Sequence, residues 1–282
     1  MTALPAVLDV EDLGDGRWTA PHPSEDPEGR DVVFSGQMLA QMIMVSDAAA
    51  GHQKEVKSVH AVFARAGSYS GGRIEYVLDS MHSGRAWASD TITARQGDRL
   101  LARALVLLNA VEPDLMRHAP QMPDVPGPEG CAPQSLGMAF PGVEVRAVER
   151  PGQVAPGSPP TTSLWVRSPQ SYDSVAANQA VVAWSEPGLI IGAAMSAHVD
   201  TVDFGQAHRS ISTGVISHTS HFHDHGDVGD WLLFVHEAPY AGHGRVFGNG
   251  SVFTRDGTLV STFAQDSMVR GVDRELDFRR DM

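Results

Sequence analysis

A short stretch of sequence occurs twice in this chain, and this repetition constrains the fold more than any other feature. GRAWASDTITARQG occupies residues 84–97 and GRVFGNGSVFTRDG occupies residues 244–257, an offset of 160. Both copies have a glycine at each end, two arginines at matching positions and an aromatic residue near the first arginine. Similarity at such a separation indicates that one supersecondary unit is present twice.

The sequence around each copy predicts the same order of elements, a helix followed by about four strands. The first helix, predicted from 35 to 50, is apolar over more than half of its circumference, so other structure must enclose it. The second helix is predicted at 173–185. The predicted strands are 57–66, 73–82, 86–96 and 99–109 in the first half, and 161–168, 212–224, 231–241, 243–254 and 258–269 in the second.

A buried helix wrapped by an antiparallel sheet, given twice, is an α+β pattern and predicts a tandem double hotdog fold. The length of 282 residues suits two units that each bury a core. Eleven of the 18 prolines fall within residues 113–160. We therefore predict an N-terminal hotdog unit at 1–112, a Pro/Gly-rich linker at 113–160, and a C-terminal hotdog unit at 161–282 that carries the polar site.

Charge and composition exclude several classes of partner. A net charge of −13 argues against nucleic acid or an anionic membrane, because both attract positive proteins. The longest apolar runs, such as 104–108, are far shorter than the ~20 residues that cross a bilayer. A single cysteine, Cys131, and an N-terminus unlike a secretory signal predict a cytoplasmic protein. Exposed sheet edges commonly pair, so we expect a homodimer or homotetramer.

Four histidines between residues 218 and 225 raise the question of a metal site. His221, His223 and His225 would share one face of a strand, and the outer two would then lie about 13 Å apart. Such a distance is too long for two bonds of about 2 Å to one ion. Two of them together with a distant ligand could still bind an ion, but hydrogen-bonded or exposed histidines are the ordinary interpretation. We therefore predict no metal and no other cofactor.

The repeat also distinguishes the two halves by polarity. At the offset of 160, Gln265 corresponds to Leu105 and Asp266 corresponds to Val106. A buried amide costs about 1–3 kcal/mol unless it is hydrogen-bonded, and the first half shows that the sheet does not need one. The polar site is therefore predicted in the second half.

The chain resembles the type II acyl-CoA thioesterases along nearly its whole length outside the linker. The resemblance lies in FSGQMLAQM, SVHAVFARAG and the first repeat, and in ISHTSHFH, DWLLFVHEAP and the second repeat through VSTFAQDSMVR. It implies a double-hotdog enzyme that uses an activated water to hydrolyse acyl-CoA to a free fatty acid and coenzyme A. It implies neither a metal nor a covalent intermediate.

The resemblance further implies a carboxylate after the second helix, a Ser or Thr in the next strand and a Gln in the last strand. The glutamine falls on Gln265, and the carboxylate, an Asp in the family, falls on Glu186. The Ser/Thr position falls on Val215, and an Asp two residues later falls on Ser217. We expect Glu186 to polarise the water, aided by Gln265 and by the hydroxyl of Ser217 or Thr213.

Thioester hydrolysis also needs donors for the developing oxyanion. Backbone N–H groups at the start of the first helix, at Gly36 and Gln37, have no partner within the helix, and the helix dipole favours negative charge there. These two residues are the predicted oxyanion and substrate-binding site.

Two other functions stay open at this point. The substitutions at Val215 and Ser217 are compatible with a double hotdog that binds acyl-CoA without hydrolysing it. An enoyl-thioester hydratase or dehydratase would need a histidine beside a carboxylate, and His218 with Asp224 or Asp266 is the candidate pair.

Overall fold

The protein is built around one continuous antiparallel sheet that packs against helices. A computed structural model describes residues 6–22, 31–134, 142–148, 158–198 and 211–271. The helices are α1 (Ser35–Ala49), α2 (Val175–Ser185) and α3 (Leu189–Ser196). The strands are β1 (Glu11–Gly14), β2 (Arg17–Ala20), β3 (Glu55–Phe63), β4 (Ile74–Ser83), β5 (Trp87–Gln96), β6 (Arg99–Asn109), β7 (Ala132–Gln134), β8 (Glu144–Ala147), β9 (Thr161–Arg167), β10 (Ile211–Phe222), β11 (Leu232–Gly242), β12 (Arg245–Thr254) and β13 (Leu259–Gly271).

The order of the strands shows two related halves. The order is β1-β2-β4-β5-β6-β3-β10-β13-β12-β11-β9-β8-β7, so the halves meet where β3 pairs with β10. Across this seam His218 lies opposite Ala61. Helix α1 packs against α2, and both belong to one hydrophobic core. The predicted α+β double-hotdog fold, with one enclosed helix in each half, is confirmed.

The two helices approach each other closely at one point, and this contact depends on a glycine. A Cβ atom added to Gly36 would lie 2.2 Å from the carbonyl oxygen of Trp184. No side chain fits at that distance. Glycine therefore allows the N-terminus of α1 to lie against the last turn of α2.

The exact correspondence between the halves is set by matching β-bulges. In the first half the pairing shifts between Val56 and Ser58, and in the second half it shifts between Val215 and Ser217. The hairpin pair Ala94–Ala102 corresponds in the same way to Val252–Ser261. From 56 to 215 and from 102 to 261 the offset is 159, and from 94 to 252 it is 158.

The offset of 160 read from the sequence is therefore wrong in register, although the repeated unit is real. The structural counterpart of Gln265 is Val106, not Leu105, and the counterpart of His218 is Val59. Burial agrees, since Val106 and Val59 are buried whereas Leu105 is 49% exposed. A slip of one residue exchanges the two faces of a strand.

The described part of the Pro-rich segment is packed on the sheet. Strands β7 and β8 extend the edge beyond β9. Met122 and Val125 pack with Cys131 and Trp165 in a second, smaller hydrophobic cluster. Cys131 is thus a buried packing residue. Residues 135–141 and 149–157 lie outside the described part, and the division at 112 and 160 stays a prediction.

Candidate active site

Helix α2 positions a carboxylate at its C-terminal end. The side chain of Ser174 accepts a hydrogen bond from the N–H of Ala177 (3.3 Å) and caps the start of the helix. Glu186 is the C-terminal cap, and Pro187 prevents the helix from continuing. Gly188 then takes a φ of 99°, which only glycine adopts easily, and the chain turns into α3.

Two central strands direct a row of polar side chains toward this carboxylate. On β10 these are His218 and Ser220, and on β13 they are Ser261, Gln265 and Ser267. All five are 1% exposed or less. Because alternate residues of a strand point to the same face, the even spacing of these residues along β13 and along β10 places them together on the inner face of the sheet.

The carboxylate of Glu186 is completely buried and accepts three hydrogen bonds. One oxygen, Oε1, accepts from the hydroxyl of Ser261 at 2.8 Å. The other, Oε2, accepts from the hydroxyl of Ser220 and lies 2.9 Å from Nε2 of His218. Ionised groups are tolerated inside proteins when they are paired in this way. The donors also offset the negative end of the α2 dipole, which disfavours a carboxylate at this position.

The imidazole of His218 connects the carboxylate to the amide of Gln265. Its Nδ1 lies 3.0 Å from Oε1 of Gln265, while its Nε2 faces Glu186. The other end of the amide, Nε2 of Gln265, donates to Ser267 at 2.8 Å. The His218 ring stacks on Phe263 with centroids 5.7 Å apart. The result is a chain of hydrogen bonds from Glu186 through His218 and Gln265 to Ser267.

A second buried histidine borders this cluster. His236 is fully buried, and its ring lies 5.2 Å from that of Phe263. Burial lowers the pKa of His236 from its ordinary 6.5 to about 3, although the backbone of Thr162 and Glu186 partly opposes this effect. His236 is therefore neutral at physiological pH.

The structure brings together two of the three predicted catalytic side chains. Glu186 and Gln265 belong to one hydrogen-bonded cluster, joined by His218. Ser217 does not, because the bulge after Val215 turns it to the opposite face of the sheet. There it lines a cavity of about 570 Å³ with His60 and Thr219. The placement of Ser217 beside Glu186 is corrected: Ser220 and Ser261 supply the hydroxyl groups.

The predicted oxyanion residues lie at the end of α1 that meets α2. Gly36 contacts Trp184, two residues before Glu186. The N–H of Gln37 donates to the carbonyl oxygen of Phe34 at 3.1 Å, and its side-chain Nε2 lies 2.9 Å from Nδ1 of His22. The backbone N–H of Gln37 thus already has an acceptor. The backbone N–H of Gly36 is therefore the better candidate of the two for binding the oxyanion.

Sequence reasoning missed the serines of the cluster and placed His218 only in an alternative reaction. The signal that could have identified them is their contrast with the first half at the correct offset. At the offset of 160, His218 and Ser220 correspond to Ser58 and His60, which are also polar, so their contrast with the first half is hidden.

The remaining histidines of the sequence cluster have separate partners. His223 bonds to Thr262 at 2.8 Å, and His225 lies 2.9 Å from Glu55. His221 lies edge-on to His60, with centroids 5.1 Å apart. Within the described ranges, no group of three or more His, Cys, Asp or Glu side chains is arranged to hold a metal ion.

A cavity of about 260 Å³ runs along α2 toward the cluster. It reaches Val182, one turn before Glu186, and Val260, which precedes Ser261. Asp173 and Asp224 lie among its lining residues. These carboxylates repel phosphate groups, so this cavity does not suit the nucleotide end of coenzyme A.

The fold has two units, each with a helix enclosed by a sheet. A carboxylate, an imidazole and an amide are buried together in the second unit. These features define a hotdog protein with one polar site. Comparisons with known proteins agree with this class. The model of the acyl-CoA thioesterase C-terminal domain matches residues 116–269, more than half of the chain. The chain therefore belongs to the acyl-CoA thioesterase family, enzymes that hydrolyse acyl-CoA thioesters.

Relatives of known name and solved structures cover almost the whole chain. Acyl-coenzyme A thioesterase 8 of Mus musculus is 23% identical over 94% of this chain and 88% of its own length. Acyl-CoA thioesterase 2 of Haemophilus influenzae is 23% identical over 84% of this chain and 87% of its own length. The acyl-CoA thioesterase II TesB2 of Mycobacterium marinum superposes with a TM-score of 0.79 at 20% identity, over 95% of this chain and 98% of that one. A hot dog fold protein from Alicyclobacillus acidocaldarius gives a TM-score of 0.71 at 17% identity, over 95% and 98% of the two chains.

The two other functions considered from the sequence are not favoured. In the hydratase hypothesis His218 pairs with Asp224 or Asp266. Asp224 instead forms an ion pair with Arg117, and Asp266 with Arg245. The carboxylate beside His218 is that of Glu186. As to membranes, no helix within the described residues has the length and apolar character needed to span a bilayer.

Proposed function

We propose that hydrolysis takes place at the buried cluster of the second half, with Glu186 and Gln265 holding the attacking water. The observation that carries this proposal is the hydrogen-bonded chain that links a fully buried carboxylate to a fully buried amide. A carboxylate accepts a proton from the water as the water attacks the thioester carbonyl. Gln265 supplies a second polar contact that fixes the direction of the water.

The oxyanion formed during attack needs a donor on the other side of the carbonyl. The N-terminus of α1 supports this role for Gly36, because its close contact with Trp184 places it near the end of α2. Gln37 remains part of the proposed substrate-binding surface through its side chain, which is fully buried and whose Oε1 has no partner among the described residues. The proton taken from water leaves on the coenzyme A thiol, so the products are a fatty acid and coenzyme A.

The test uses the purified protein and a panel of saturated acyl-CoA substrates, with thiol release measured. We expect Glu186→Gln to lower kcat about 10³-fold, because removal of a general base commonly costs 10²–10⁴-fold. Gln265→Ala should lower kcat about 10²-fold. Thermal midpoints of both variants check that the fold is intact. Full turnover by Glu186→Gln would contradict the proposal, and binding of acyl-CoA by the wild type without thiol release would support the non-hydrolytic alternative.

We also infer a cytoplasmic enzyme that assembles as a homodimer or homotetramer. A lone cysteine supports a reducing compartment. Exposed apolar side chains on the outer face of the first half support assembly, among them Val62 (61% exposed), Leu105 (49%) and Leu107 (40%). Light scattering coupled to gel filtration measures the mass directly, and a monomer at micromolar concentration would contradict the assembly.

A further inference from the structure

His218 is the one member of the site cluster that contacts both proposed catalytic side chains. Its Nε2 lies 2.9 Å from Glu186 and its Nδ1 lies 3.0 Å from Gln265. The ring is held in place by the stacked Phe263 and is completely buried. Its geometry is therefore fixed by packing as well as by hydrogen bonds.

The arrangement of donors and acceptors ties the orientation of Gln265 to His218. Both ring nitrogens face oxygen atoms, Nε2 the carboxylate of Glu186 and Nδ1 the Oε1 of Gln265, so an N–H at either nitrogen has an acceptor. The amide then directs its NH₂ group to Ser267, as observed. Without a donor at Nδ1, this orientation of the amide would lose its partner, and Gln265 would be free to turn.

The sheet itself does not require a histidine at this position. The counterpart in the first half is Val59, which is fully buried and packs in the same core. A polar ring in an apolar interior costs free energy unless all its partners are present. The histidine is thus explained by the groups it joins rather than by the fold.

The electrostatic surroundings are simple. Glu186 on α2 is the charged group against the ring, and His236 on β11 is neutral. On β3 the residue opposite His218 is Ala61.

We propose that His218 is a positioning residue that holds the Gln265 amide and the Glu186 carboxylate in one geometry, so that both act on the same water. This inference rests on the proposed function and goes beyond it. It assigns to His218 no contact with the substrate and no proton transfer to it.

A double-mutant cycle between His218 and Gln265 tests the proposal. We expect His218→Asn to lower kcat about 30-fold or more while KM changes less than about threefold, because the water is misplaced and substrate binding is kept. In the Gln265→Ala background the same substitution should lower kcat by less than about tenfold, since only the contact with Glu186 remains to be lost. A purely structural histidine would give the same factor in both backgrounds.

Two further variants serve as controls. His218→Gln places an amide where it can still bond one partner, and it should recover part of the lost kcat. His236→Leu removes the other buried histidine beside Phe263 and should leave kcat within about threefold of the wild type. If His218→Asn has a collapsed thermal midpoint, the cycle is measured with His218→Gln instead.

Equal losses of kcat in the two Gln265 backgrounds, or an unchanged kcat in the His218 variants, would overturn the positioning role. The proposed function would survive that result if Glu186→Gln still abolished turnover. A wild type that releases no thiol from any acyl-CoA would overturn both.

Discussion

The two halves of the molecule share a fold, but they fill the inner face of their sheets with different chemistry. Where the first half has apolar side chains, the second half has hydrogen-bonding ones at five corresponding positions of the central strands. The pairs are Val59 and His218, Ala61 and Ser220, Ala102 and Ser261, Val106 and Gln265, and Leu108 and Ser267. All ten residues are buried.

The difference teaches that this fold is stable without the polar groups. An apolar interior gains about 25 cal/mol for each Å² removed from water, and it needs no partners. A buried polar group is costly unless it is bonded, and the carboxylate oxygens of Glu186 are bonded to His218, Ser220 and Ser261. The first half thus serves as an internal reference. It shows which apolar packing the second half lacks where it holds the polar site.

The largest expected effect concerns His236, whose counterpart in the first half is Leu78. The pKa of His236 is lowered to about 3 in the folded protein, whereas the unfolded chain takes up the proton near 6.5. Its contribution to stability is therefore complete above pH 6.5 and is lost as the pH falls toward 3, by up to about 1.4 kcal/mol per pH unit.

His236→Leu removes this dependence. Relative to the wild type, we expect the variant to gain about 2 kcal/mol between pH 7.5 and pH 5, measured by urea unfolding at both values. The comparison cancels the titration of the other carboxylates and histidines. Parallel pH profiles for the two proteins would contradict the neutral, buried state of His236.

The next effect transfers a polar group into the first half. Val106→Gln introduces the amide of Gln265 at the corresponding position, where Val59 and Leu108 offer no side-chain partner. We expect a loss of about 1–3 kcal/mol in the free energy of unfolding, because a buried amide is left unsatisfied.

Leu105→Gln is the matched control, since Leu105 is 49% exposed on the other face. Its effect should stay within about 0.5 kcal/mol. Chemical denaturation of both variants measures the difference. A larger loss at Leu105 than at Val106 would contradict the register assigned to the two halves.

The smallest expected effect is the difference in kcat between alanine variants of two serines on strand β10. Ser220→Ala removes a donor to Glu186 and should lower kcat about tenfold, whereas Ser217→Ala changes the outer face and should lower it less than about twofold. Thiol-release assays on both variants decide the matter. A greater loss at Ser217 would restore it to the catalytic cluster.

The sequence predicted most of the fold and about half of the candidate site. Helices α1 and α2 and the long strands were predicted within a few residues, because their apolar periodicity is local, whereas α3, β7 and β8 were not predicted. Glu186 and Gln265 were identified through resemblance to the thioesterases, and the structure joins them. Ser217 lies on the face opposite Glu186 because a bulge at Ile216, which no local pattern reveals, reverses the face on which the following residues lie.

The order of residues by itself determined that a helix-and-sheet unit occurs twice, that the helices must be enclosed, and that polarity is concentrated in the second half. These features follow from periodicity and composition, which a linear chain displays. Only the tertiary structure decided the register between the halves and the contact of His218 with both Glu186 and Gln265. Strand pairing and side-chain direction reverse with a shift of one residue, and that shift is set by bulges and packing between distant segments.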